Sequence, residues 1–521
     1  MIGVLFGQPS STAGRLVAAA LGRSVSRTQV ALAGHGGLDA GYPILAAVDL
    51  ADSWGDLLVG WLRGGSRKLI LFGTVPGVLA DSLGWASAEW PVSLREASRS
   101  QSAPSRAWRA SAATVAYGER AKILGGAKWV RAFERFDFTD EWNNLGFGAI
   151  RADGSPWAVS RAMDAGADEI AAVSVDGVRA GSYAALGELD DASVLWFNRP
   201  VGPCDSFEWR IVEAFLANHR AETLPCQPVL SEIPWGYDAA ITSRLDCDED
   251  VESARPLRDA YLEMNVPFSL AVHTSNLSDP RNIPLLHELL REGGAILSHT
   301  ATHAPNWGGS YEAALQEGSQ SVIRIREATG HHVHYAVSPF HQSPGYALHA
   351  LADVGYQGCI GGIIRNDPEF NLARGGELAG LPVGFVGHSQ QCMLHGECML
   401  AEGDPLAIFK QAFDSARDVG TLFGYLDHPF STRYAYGWQD EQTRIDTHRA
   451  LIAYIRQSSE RPLFLNEDIA MDFLRAKALT QVVAKDDGYS IAAAPLRVRD
   501  LELSVEYKGH RLQVSKELWL S

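Results

Sequence analysis

A run of acidic residues, LDCDED at 245–250, directly follows an apolar segment of the chain. One carboxylate of such a run can bind a metal ion while its neighbour stays free to act as a base. A helix N-terminus is the alternative interpretation, because acidic side chains cap helices and complement their dipole. A calcium-binding EF-hand loop is excluded, since Val251 stands where its turn glycine would be and Leu257 where its bidentate glutamate would be.

Two histidines four residues apart, His299 and His303, lie in the segment SHTATH at 298–303, after the apolar residues AIL. Imidazoles at this spacing on one helical turn point the same way and can share a metal ion. The metalloprotease pattern HExxH is absent, because Thr300 occupies the position of its glutamate. An isolated HxxxH pair is usually incidental, so the preceding strand and the upstream acidic run are what favour a metal site here.

A third cluster, GYLDHPF at 424–430, places His428 at the end of the apolar segment TLFGYL. A single histidine in such a position is more often structural than catalytic, and Asp427 beside it is interpreted as a loop acid. All three clusters follow predicted strands, and barrel enzymes place their catalytic groups at the carboxyl ends of their strands.

A separate group of metal-binding residue types lies in GHSQQCMLHGEC, which contains His388, Cys392, His395 and Cys398. Two cysteines and two histidines can hold a structural zinc ion. The spacing is tighter than in a usual zinc finger, so a polar loop with incidental cysteines is the competing interpretation. Six cysteines in 521 residues are too few for a disulfide scaffold.

The elements that must position these clusters alternate between short apolar runs and helical stretches. Residues 230–480 contain repeated strand–helix units, including a strand predicted at Leu381–Phe385, and indicate a parallel barrel or a related layered fold. Residues 1–225 predict a Rossmann-like or amidotransferase-like α/β domain with an irregular insertion. Residues 484–521 alternate around a turn at Gly509 and predict a small C-terminal β segment.

The N-terminal region carries two loops that could bind a phosphate group. PSSTAGRL at 9–16 follows a strand, although ordinary helix capping by its hydroxyl side chains explains it better. GHGGLDAG at 34–41 lacks the GxGxxG spacing of a dinucleotide-binding loop. A cysteine-dependent glutaminase is excluded from this α/β region, because no cysteine precedes Cys204.

In their order and separation, the three clusters resemble the motifs of the NodB-homology polysaccharide deacetylases, carbohydrate esterase family four. The acidic motif matches Asp246 with Asp248, the H-[S/T]-x-x-H motif matches residues 299–303, and the late L-x-H motif matches residues 426–428. The likeness extends over roughly residues 238–478. It implies a distorted (β/α) barrel as the fold of this part of the chain.

The resemblance implies a role for each matched residue. Asp248, His299 and His303 would bind a divalent metal, by default Zn²⁺, and leave open positions for water and substrate. Asp246 would be the general base, and His428 the general acid that protonates the leaving amine.

The spacing of the acidic motif keeps two of these roles open. Many relatives have adjacent aspartates, whereas Cys247 separates the two here. The base and ligand roles of Asp246 and Asp248 could therefore be exchanged, or Asp250 could take part.

Substrate-binding residues are expected near the same site. A backbone N–H after Pro339 would stabilise the tetrahedral oxyanion together with the metal. His341 and the aromatic residues Trp307, Phe340 and Tyr425 flank the site, and the aromatic faces could stack against sugar rings. Burial in the core is the alternative for such residues, and it is their commoner fate.

The sequence departs from the family pattern at two further motifs. Where the family carries an arginine that orients the base, this chain has Val337, and His341 or Arg365 are the candidates to replace it. The motif rich in aspartate and tryptophan is not visible, and Asp367 is the candidate for its acid.

Charge and composition limit the partners. The chain has 62 acidic residues against 45 Lys and Arg and a net charge of −17, which argues against a nucleic-acid partner. The chain has no apolar run of about 18 residues, so no membrane span is expected. The first residues lack the features of a secretory leader, which predicts a cytoplasmic location. The oligomeric state is not indicated.

These observations together predict a metal-dependent hydrolase that removes N-acetyl groups from amino sugars of a polysaccharide, an oligosaccharide or its intracellular precursor. Hydrolysis of another linear amide or a formamide on the same fold is the first alternative. The second alternative is a catalytically silent glycan-binding scaffold that has lost the family's arginine.

Overall fold

The fold is that of a computed structural model in which most strands belong to two large sheets. The structure describes residues 1–34, 38, 41–92, 113–132, 156–175, 177–203, 205–361, 374–431, 433–496 and 500–521. Two candidate residues from the sequence, Arg365 and Asp367, lie outside the described residues.

The first large sheet is formed by strands from the N-terminal part of the chain. The strands of this part are β1 Ile2–Phe6, β2 Val30–Ala33, β3 Ile44–Val48, β4 Lys68–Phe72, β5 Ala86–Ser87, β6 Ala113–Tyr117, β7 Val130–Ala132, β8 Met163–Asp164, β9 Glu169–Val175, β10 Val178–Leu189 and β11 Ala192–Phe197. Nine of them pair in the order β2-β1-β3-β4-β11-β10-β9-β6-β7, whereas β5 and β8 pair only with each other. The first five strands in this order run parallel to one another, and each of the last four strands is antiparallel to its neighbours.

In the described part of this region the helices that accompany the sheet are α1 Ser11–Val25, α2 Gly55–Arg63, α3 Gly77–Leu83 and α4 Arg210–Ala217. Parallel strands joined by helices agree with the α/β interpretation of this region, and the boundary at residue 225 remains a prediction. Capping at the start of α1 differs from the prediction. The Ser10 hydroxyl makes no capping hydrogen bond to the helix and instead accepts one from the backbone N–H of Gly7 at 3.2 Å.

The second large sheet carries the three clusters. Its region contains β12 Val229–Leu230, β13 Ala239–Cys247, β14 Ser269–Val272, β15 Ala295–Ser298, β16 Tyr335–Val337, β17 Gly358–Gly361, β18 Gly376–Glu377, β19 Val386–Ser389, β20 Cys392–Met393, β21 Phe423–Asp427 and β22 Pro462–Leu465. The order is β18-β19-β17-β16-β15-β14-β13-β21-β20, and β22 also pairs with β13. All pairs are parallel except β18 with β19.

Helices between these strands cover the sheet: α5 Arg255–Glu263, α6 Ile283–Arg291, α7 Tyr311–Thr329, α8 Gly345–Val354, α9 Ala407–Val419, α10 Glu441–Ser458 and α11 Glu467–Leu479. The predicted repetition of parallel strand–helix units is therefore present. The two ends of the sheet, β18 and β20, are not hydrogen-bonded to each other in the described part of the chain. The closed barrel that the resemblance implies is not seen there.

Local sequence explains where several of these helices begin. The side chains of Ser310, Asp440 and Asn466 accept hydrogen bonds from backbone N–H groups three residues later, at 3.2, 2.7 and 2.9 Å. These caps satisfy donors that have no partner within the helix. One predicted strand is displaced: the chain at Leu381–Phe385 turns at Gly384, whose φ is +81°, and the strand begins at Val386.

The C-terminal strands extend two small sheets. They are β23 Gln481–Lys485, β24 Gly488–Ala492, β25 Leu503–Tyr507, β26 His510–Val514 and β27 Glu517–Leu520. β23, β24 and β27 form one sheet, whereas in the other β25 pairs with β12 on one side and with β26 on the other. The predicted β character of this tail is present, and pairing with β12 joins it to the chain ahead of the second large sheet. No helix in the described ranges is long and apolar enough to cross a membrane.

Candidate metal-dependent active site

The three clusters meet at one edge of the second large sheet. The acidic run ends β13 and continues beyond it, the histidine pair follows β15, and His428 follows β21. β13 pairs with both β14 and β21, and β14 pairs with β15, all in parallel. The carboxyl ends of these strands therefore lie side by side, which brings together residues up to 180 positions apart in sequence.

Asp248, His299 and His303 converge on one point. Asp248 Oδ1 lies 3.1 Å from His299 Nε2 and 3.2 Å from His303 Nε2, and the two nitrogens are 3.1 Å apart. Ligands of a tetrahedral metal with bonds of about 2.0–2.1 Å are separated by about 3.3 Å, close to these distances. Among the described residues, Asp248 Oδ1 is buried without a hydrogen-bond partner, which a metal ion would supply.

The protonation of this triad favours a cation. Burial alone would raise the pKa of Asp248, but the adjacent His299 and the other neighbouring imidazoles outweigh it and hold the pKa below its usual range. Burial, assisted by His299, lowers the pKa of His303 to about 4. The pKa of His299 is raised despite its burial, because Asp246 and Asp248 favour a positive charge there. Metal binding requires an ionised carboxylate and neutral imidazoles. Asp248 and His303 are already in these forms, and a metal ion would replace the proton that the two aspartates favour on His299.

Hydrogen bonds to neighbouring backbone and side-chain atoms orient the three candidate ligands. His299 Nδ1 lies 3.2 Å from the backbone oxygen of Val337, so this ring nitrogen can donate and leave Nε2 for the metal. His273 Nδ1 lies 3.2 Å from the backbone oxygen of Asp248. His303 has a φ of +54°, and the Thr300 hydroxyl accepts a hydrogen bond from its backbone N–H at 2.8 Å.

Arg244 contacts Asp246 from the same strand, β13. Its guanidinium binds both carboxylate oxygens of Asp246, through Nε to Oδ1 and through a terminal nitrogen to Oδ2 at 3.2 Å. The other terminal nitrogen donates to Glu467 Oε1 at 3.3 Å, and Gln390 also donates to that oxygen. Arg244 and Asp246 are two residues apart on β13 and therefore lie on one face of the strand.

Of the two candidates that the sequence offered for this arginine, Arg365 lies outside the described residues, and a substituting role for His341 stays a prediction. Among the described residues, only Arg244 bridges Asp246 to Glu467, and its side chain is fully buried. Burial would raise the pKa of Asp246, but the charge of Arg244 outweighs it and keeps the carboxyl ionised. His341 lies close enough for its pKa to respond to Asp246, although burial dominates and lowers that pKa to about 3.

His428 faces the triad on one side and a second histidine on the other. Its Nε2 lies 3.6 Å from Asp248 Oδ2, and its Nδ1 lies 2.7 Å from His395 Nε2. The ring stacks on Tyr436 at 4.4 Å between centroids. Burial lowers the pKa of His428 to about 4, although the charge of Asp248 opposes this effect.

Asp427 is a buried anchor rather than a loop acid, which corrects the interpretation from the sequence. It ends β21, and its Oδ2 accepts hydrogen bonds from Arg444 Nε at 2.8 Å and His448 Nε2 at 3.0 Å. Its Oδ1 accepts the backbone N–H of His428 at 2.8 Å and lies 3.5 Å from His395 Nε2. His395, Asp427 and His428 have donor atoms close enough to hold a metal ion. The oxygens of Asp427 are already hydrogen-bonded and face the Arg444 cation, so this group fits a hydrogen-bonded relay better.

The possible structural zinc site is not formed among the described residues. The two groups of potential metal ligands found there do not combine His388, Cys392, His395 and Cys398. His395 turns to His428, whereas Cys392 and Cys398 are buried among apolar side chains such as Phe409.

The expected substrate-binding residues divide between the surface and the core. Phe340 is 45% exposed, and its ring lies 4.6 Å from that of His303. Trp307 and Tyr425, by contrast, are fully buried, so the prediction that they line a cleft is wrong. Trp307 donates to the backbone oxygen of Gln342 at 3.0 Å. Pro339 is buried beside Phe340 at the end of β16.

Strained backbone is concentrated around these residues. Non-glycine residues with positive φ near the site are Thr300, His303, Asn306, Trp307, Phe340, His341 and Tyr436. They are seven of the 13 such residues described, and left-handed backbone is costly for side chains of this size. Strain of this kind persists where the surrounding structure enforces it, and it clusters at functional sites.

Sequence comparison gives no relative for this chain: no protein-family profile and no curated protein matches it. Solved structures do match. One, from Mycobacterium smegmatis and assigned to the polysaccharide deacetylases, shares 17% identity, with a TM-score of 0.38, over 49% of this chain and 96% of its own. The Puue allantoinase shares 11% identity, with a TM-score of 0.36, over 47% of this chain and 93% of its own.

A third match is the chitin deacetylase of the fungal pathogen Colletotrichum lindemuthianum. It shares 14% identity, with a TM-score of 0.30, over 45% of this chain and 89% of its own. The chain resembles carbohydrate esterase family four over about half its length. Because the similarity is low, the roles of individual residues have to come from this chain's own geometry.

Proposed function

We propose that this protein is a metal-dependent hydrolase that removes N-acetyl groups from amino sugars of a glycan or its precursor. The observation that carries the proposal is the convergence of Asp248, His299 and His303 on one point, with the buried Asp248 Oδ1 lacking a protein hydrogen-bond partner in the described structure. Asp246 and His428 lie beside this point. A carboxylate, a metal triad and a histidine are the groups needed to activate water and protonate an amine.

Asp248, His299 and His303 would hold the metal, for which Zn²⁺ is the first candidate because His and Asp ligands suit it. A divalent metal bound by such ligands lowers the pKa of water and polarises a carbonyl oxygen. Asp246 is held in its ionised form by Arg244 and is therefore able to accept a proton. The two-point contact with Arg244 also fixes the direction of the Asp246 carboxylate.

His428 would deliver a proton to the departing amine. A general acid in this position gives its proton from Nε2, the nitrogen that faces the triad. The Nδ1 atom lies 2.7 Å from His395 Nε2, and a hydrogen bond between the two rings fixes the orientation of His428. Asp427 Oδ1 lies 3.5 Å from the same His395 nitrogen. His395 would therefore be a positioning residue that keeps His428 Nε2 directed at the triad.

Exposed aromatic side chains support a sugar as the substrate. Phe340 and Tyr434 are 45% and 43% exposed. The ring of Tyr436 lies next to those of Tyr434 and His428: its centroid is 6.1 Å from that of Tyr434, and it stacks on the ring of His428. Aromatic faces of this kind can stack on the apolar faces of sugar rings. We therefore favour an N-acetylated glycan over a small linear amide, and a cytoplasmic precursor remains part of the proposal.

Metal content and acetate release together test the proposal. Wild-type protein purified without chelator or a histidine tag should contain about one metal ion per chain, as three convergent ligands require. His303→Ala should lose it, while His349→Gln, on the exposed face of α8, should retain it. Asp246→Asn should keep the metal and lose nearly all acetate release from N-acetylated chito-oligosaccharides.

Two results would reject this function. Wild-type protein that binds no metal after Zn²⁺ is added would show that the triad is not a metal site. Metal-loaded protein that binds the oligosaccharide but releases no acetate would indicate a glycan-binding scaffold. Asp246→Asn would then leave the binding affinity unchanged.

A further inference from the structure

A cavity of about 290 Å³ lies between α1, the segment 375–381 and the C-terminal end of α11. It joins the region of the first large sheet to that of the second. Lys477 in its wall lies ten residues after Glu467, the partner of Arg244, on the same helix. At 1.5 Å per residue this separation is about 15 Å, so the cavity is distinct from the metal-dependent site.

The sequence of α1 explains why space remains here. Arg15, Ala18, Ala19, Gly22 and Arg23 all line the cavity, and their spacing places them along one face of the helix. The three positions between the arginines carry the smallest side chains. The helix face therefore leaves a gap with a cation at each end.

The opposite wall is also built from small residues. It contains Gly375, Gly376 and Gly380, and Gly376 has a φ of +142°, a conformation that favours glycine. Arg23 donates to the backbone oxygen of Glu377 at 3.0 Å, which ties α1 to this wall.

The charges around the cavity are strongly unbalanced. Arg15, Arg23, Arg27 and Lys477 line it, against one acidic residue, Glu377. The side chains of Arg15 and Arg27 are exposed and make no hydrogen bond or ion pair with any residue in the described ranges. This concentration of cations stands out in a chain whose net charge is −17.

Lys477 is the buried member of the set, with only 1% of its surface exposed. Its ammonium group has three donors, and the contact found for it is a 3.4 Å hydrogen bond to the backbone oxygen of Gly375. Burial lowers its pKa to about 8, although Glu232 and Glu213 partly offset the effect. Glu232 accepts hydrogen bonds from Thr421 and from the backbone N–H of Gly375, and Glu213 binds Arg374. A buried ammonium with spare donors is a favourable contact for an anion.

We propose that this cavity binds a compact phosphate-bearing anion, such as a diphosphate group. Arg15, Arg23 and Arg27 leave the cavity positively charged even with Glu377 in its wall and with Glu232 and Glu213 near Lys477, and guanidinium groups bind phosphate oxygens in pairs. The alanine, valine and leucine side chains of the remaining wall would accept a small apolar portion of the ligand. The proposal does not depend on the deacetylase function.

Calorimetric titration with inorganic pyrophosphate at constant ionic strength tests the site. We expect saturable binding at one per chain in the full-length protein. Arg15→Gln combined with Arg27→Gln should weaken it at least tenfold, because each removes a charge-assisted contact. Arg63→Gln is the matched control, since this exposed arginine of α2 pairs with Asp190 away from the cavity.

A second variant separates a cavity from general electrostatic attraction. Ala19→Leu would fill the space between the arginines without changing the charge, and it should also weaken binding at least tenfold. Thermal melting confirms that each variant is folded. Absence of saturable binding in the wild type would overturn the proposal. Equal affinity in the Arg15→Gln/Arg27→Gln variant, or in Ala19→Leu, would overturn it as well.

Discussion

The contact between Arg244 and Asp246 gives the sharpest test of how this site works. Arg244→Lys keeps a positive charge on β13 but removes the planar fork that binds both oxygens of Asp246. Lysine is also unable to bridge Asp246 and Glu467 with separate nitrogen atoms, as Arg244 does. The variant should therefore leave Asp246 ionised but poorly directed.

The size of the effect follows from the hydrogen bond that the substitution removes. A hydrogen bond to a charged group contributes about 1.5–3 kcal/mol, and lysine leaves Asp246 with one such bond fewer in the geometry that the reaction needs. At 1.36 kcal/mol per tenfold in rate, this corresponds to a fall in kcat of about 10- to 150-fold. Arg244 does not reach the exposed aromatic residues, so KM should stay within about twofold of the wild type.

Acetate release from N-acetylated chito-oligosaccharides, measured on metal-loaded protein, gives kcat and KM directly. Metal content should remain about one per chain, since Asp248, His299 and His303 are unchanged. Arg281→Lys is the matched control, because this arginine is 85% exposed and binds Asp279 at the surface. A folded, metal-loaded Arg244→Lys protein with wild-type kcat would refute the positioning role of Arg244.

Two further predictions concern other buried polar groups. His395→Gln should lower kcat about tenfold at unchanged metal content, because the hydrogen bond between residue 395 and His428 Nδ1 is weakened. His349→Gln is the control. A loss of metal in His395→Gln would contradict the role of His395 in orienting His428. Burial and the neighbouring Asp205 raise the pKa of Glu208 well above its ordinary value near 4.5. Above the ordinary pKa near 4.5, the unfolded chain releases the Glu208 proton while the folded protein retains it. The free energy of unfolding should therefore fall as pH rises, by up to about 1.4 kcal/mol per pH unit. Glu208→Gln should flatten this slope between pH 5 and 7.5 in urea unfolding, unlike Glu312→Gln on the surface, and an unchanged slope would contradict the buried proton.

The sequence predicted best those residues whose roles depend on short spacing. His299 and His303 were recognisable because four residues separate them after a strand, and Asp246 and Asp248 because both end an apolar segment. Residues of this kind need only local geometry and a parallel sheet to meet. The alternation of strands and helices was sufficient to predict that sheet, but not whether it closes into a barrel.

The missed residues are those whose partners are distant in sequence. Asp427 looked like a loop acid because its partners Arg444 and His448 lie on a different element, α10, 17 and 21 residues further along the chain. The contact between His395 and His428 is missed for the same reason, because the two residues lie 33 positions apart and the sequence offers His395 only as part of a possible zinc site. Arg244 could have been found, because strand periodicity places it on the face of Asp246, but a charged residue in an apolar run was not interpreted as functional.

Three residues of the site depend on the register of one strand, β13. Arg244 and Asp246 share one face of it, and Asp248 follows at the same spacing just past its end. Deleting one residue between Ala240 and Ser243 would turn Arg244, the proposed base Asp246 and the proposed metal ligand Asp248 away together. Conversely, the nine-residue strand with Asp248 directly after it is a compact unit for engineering, because transplanting it into another parallel sheet would bring all three side chains in one step.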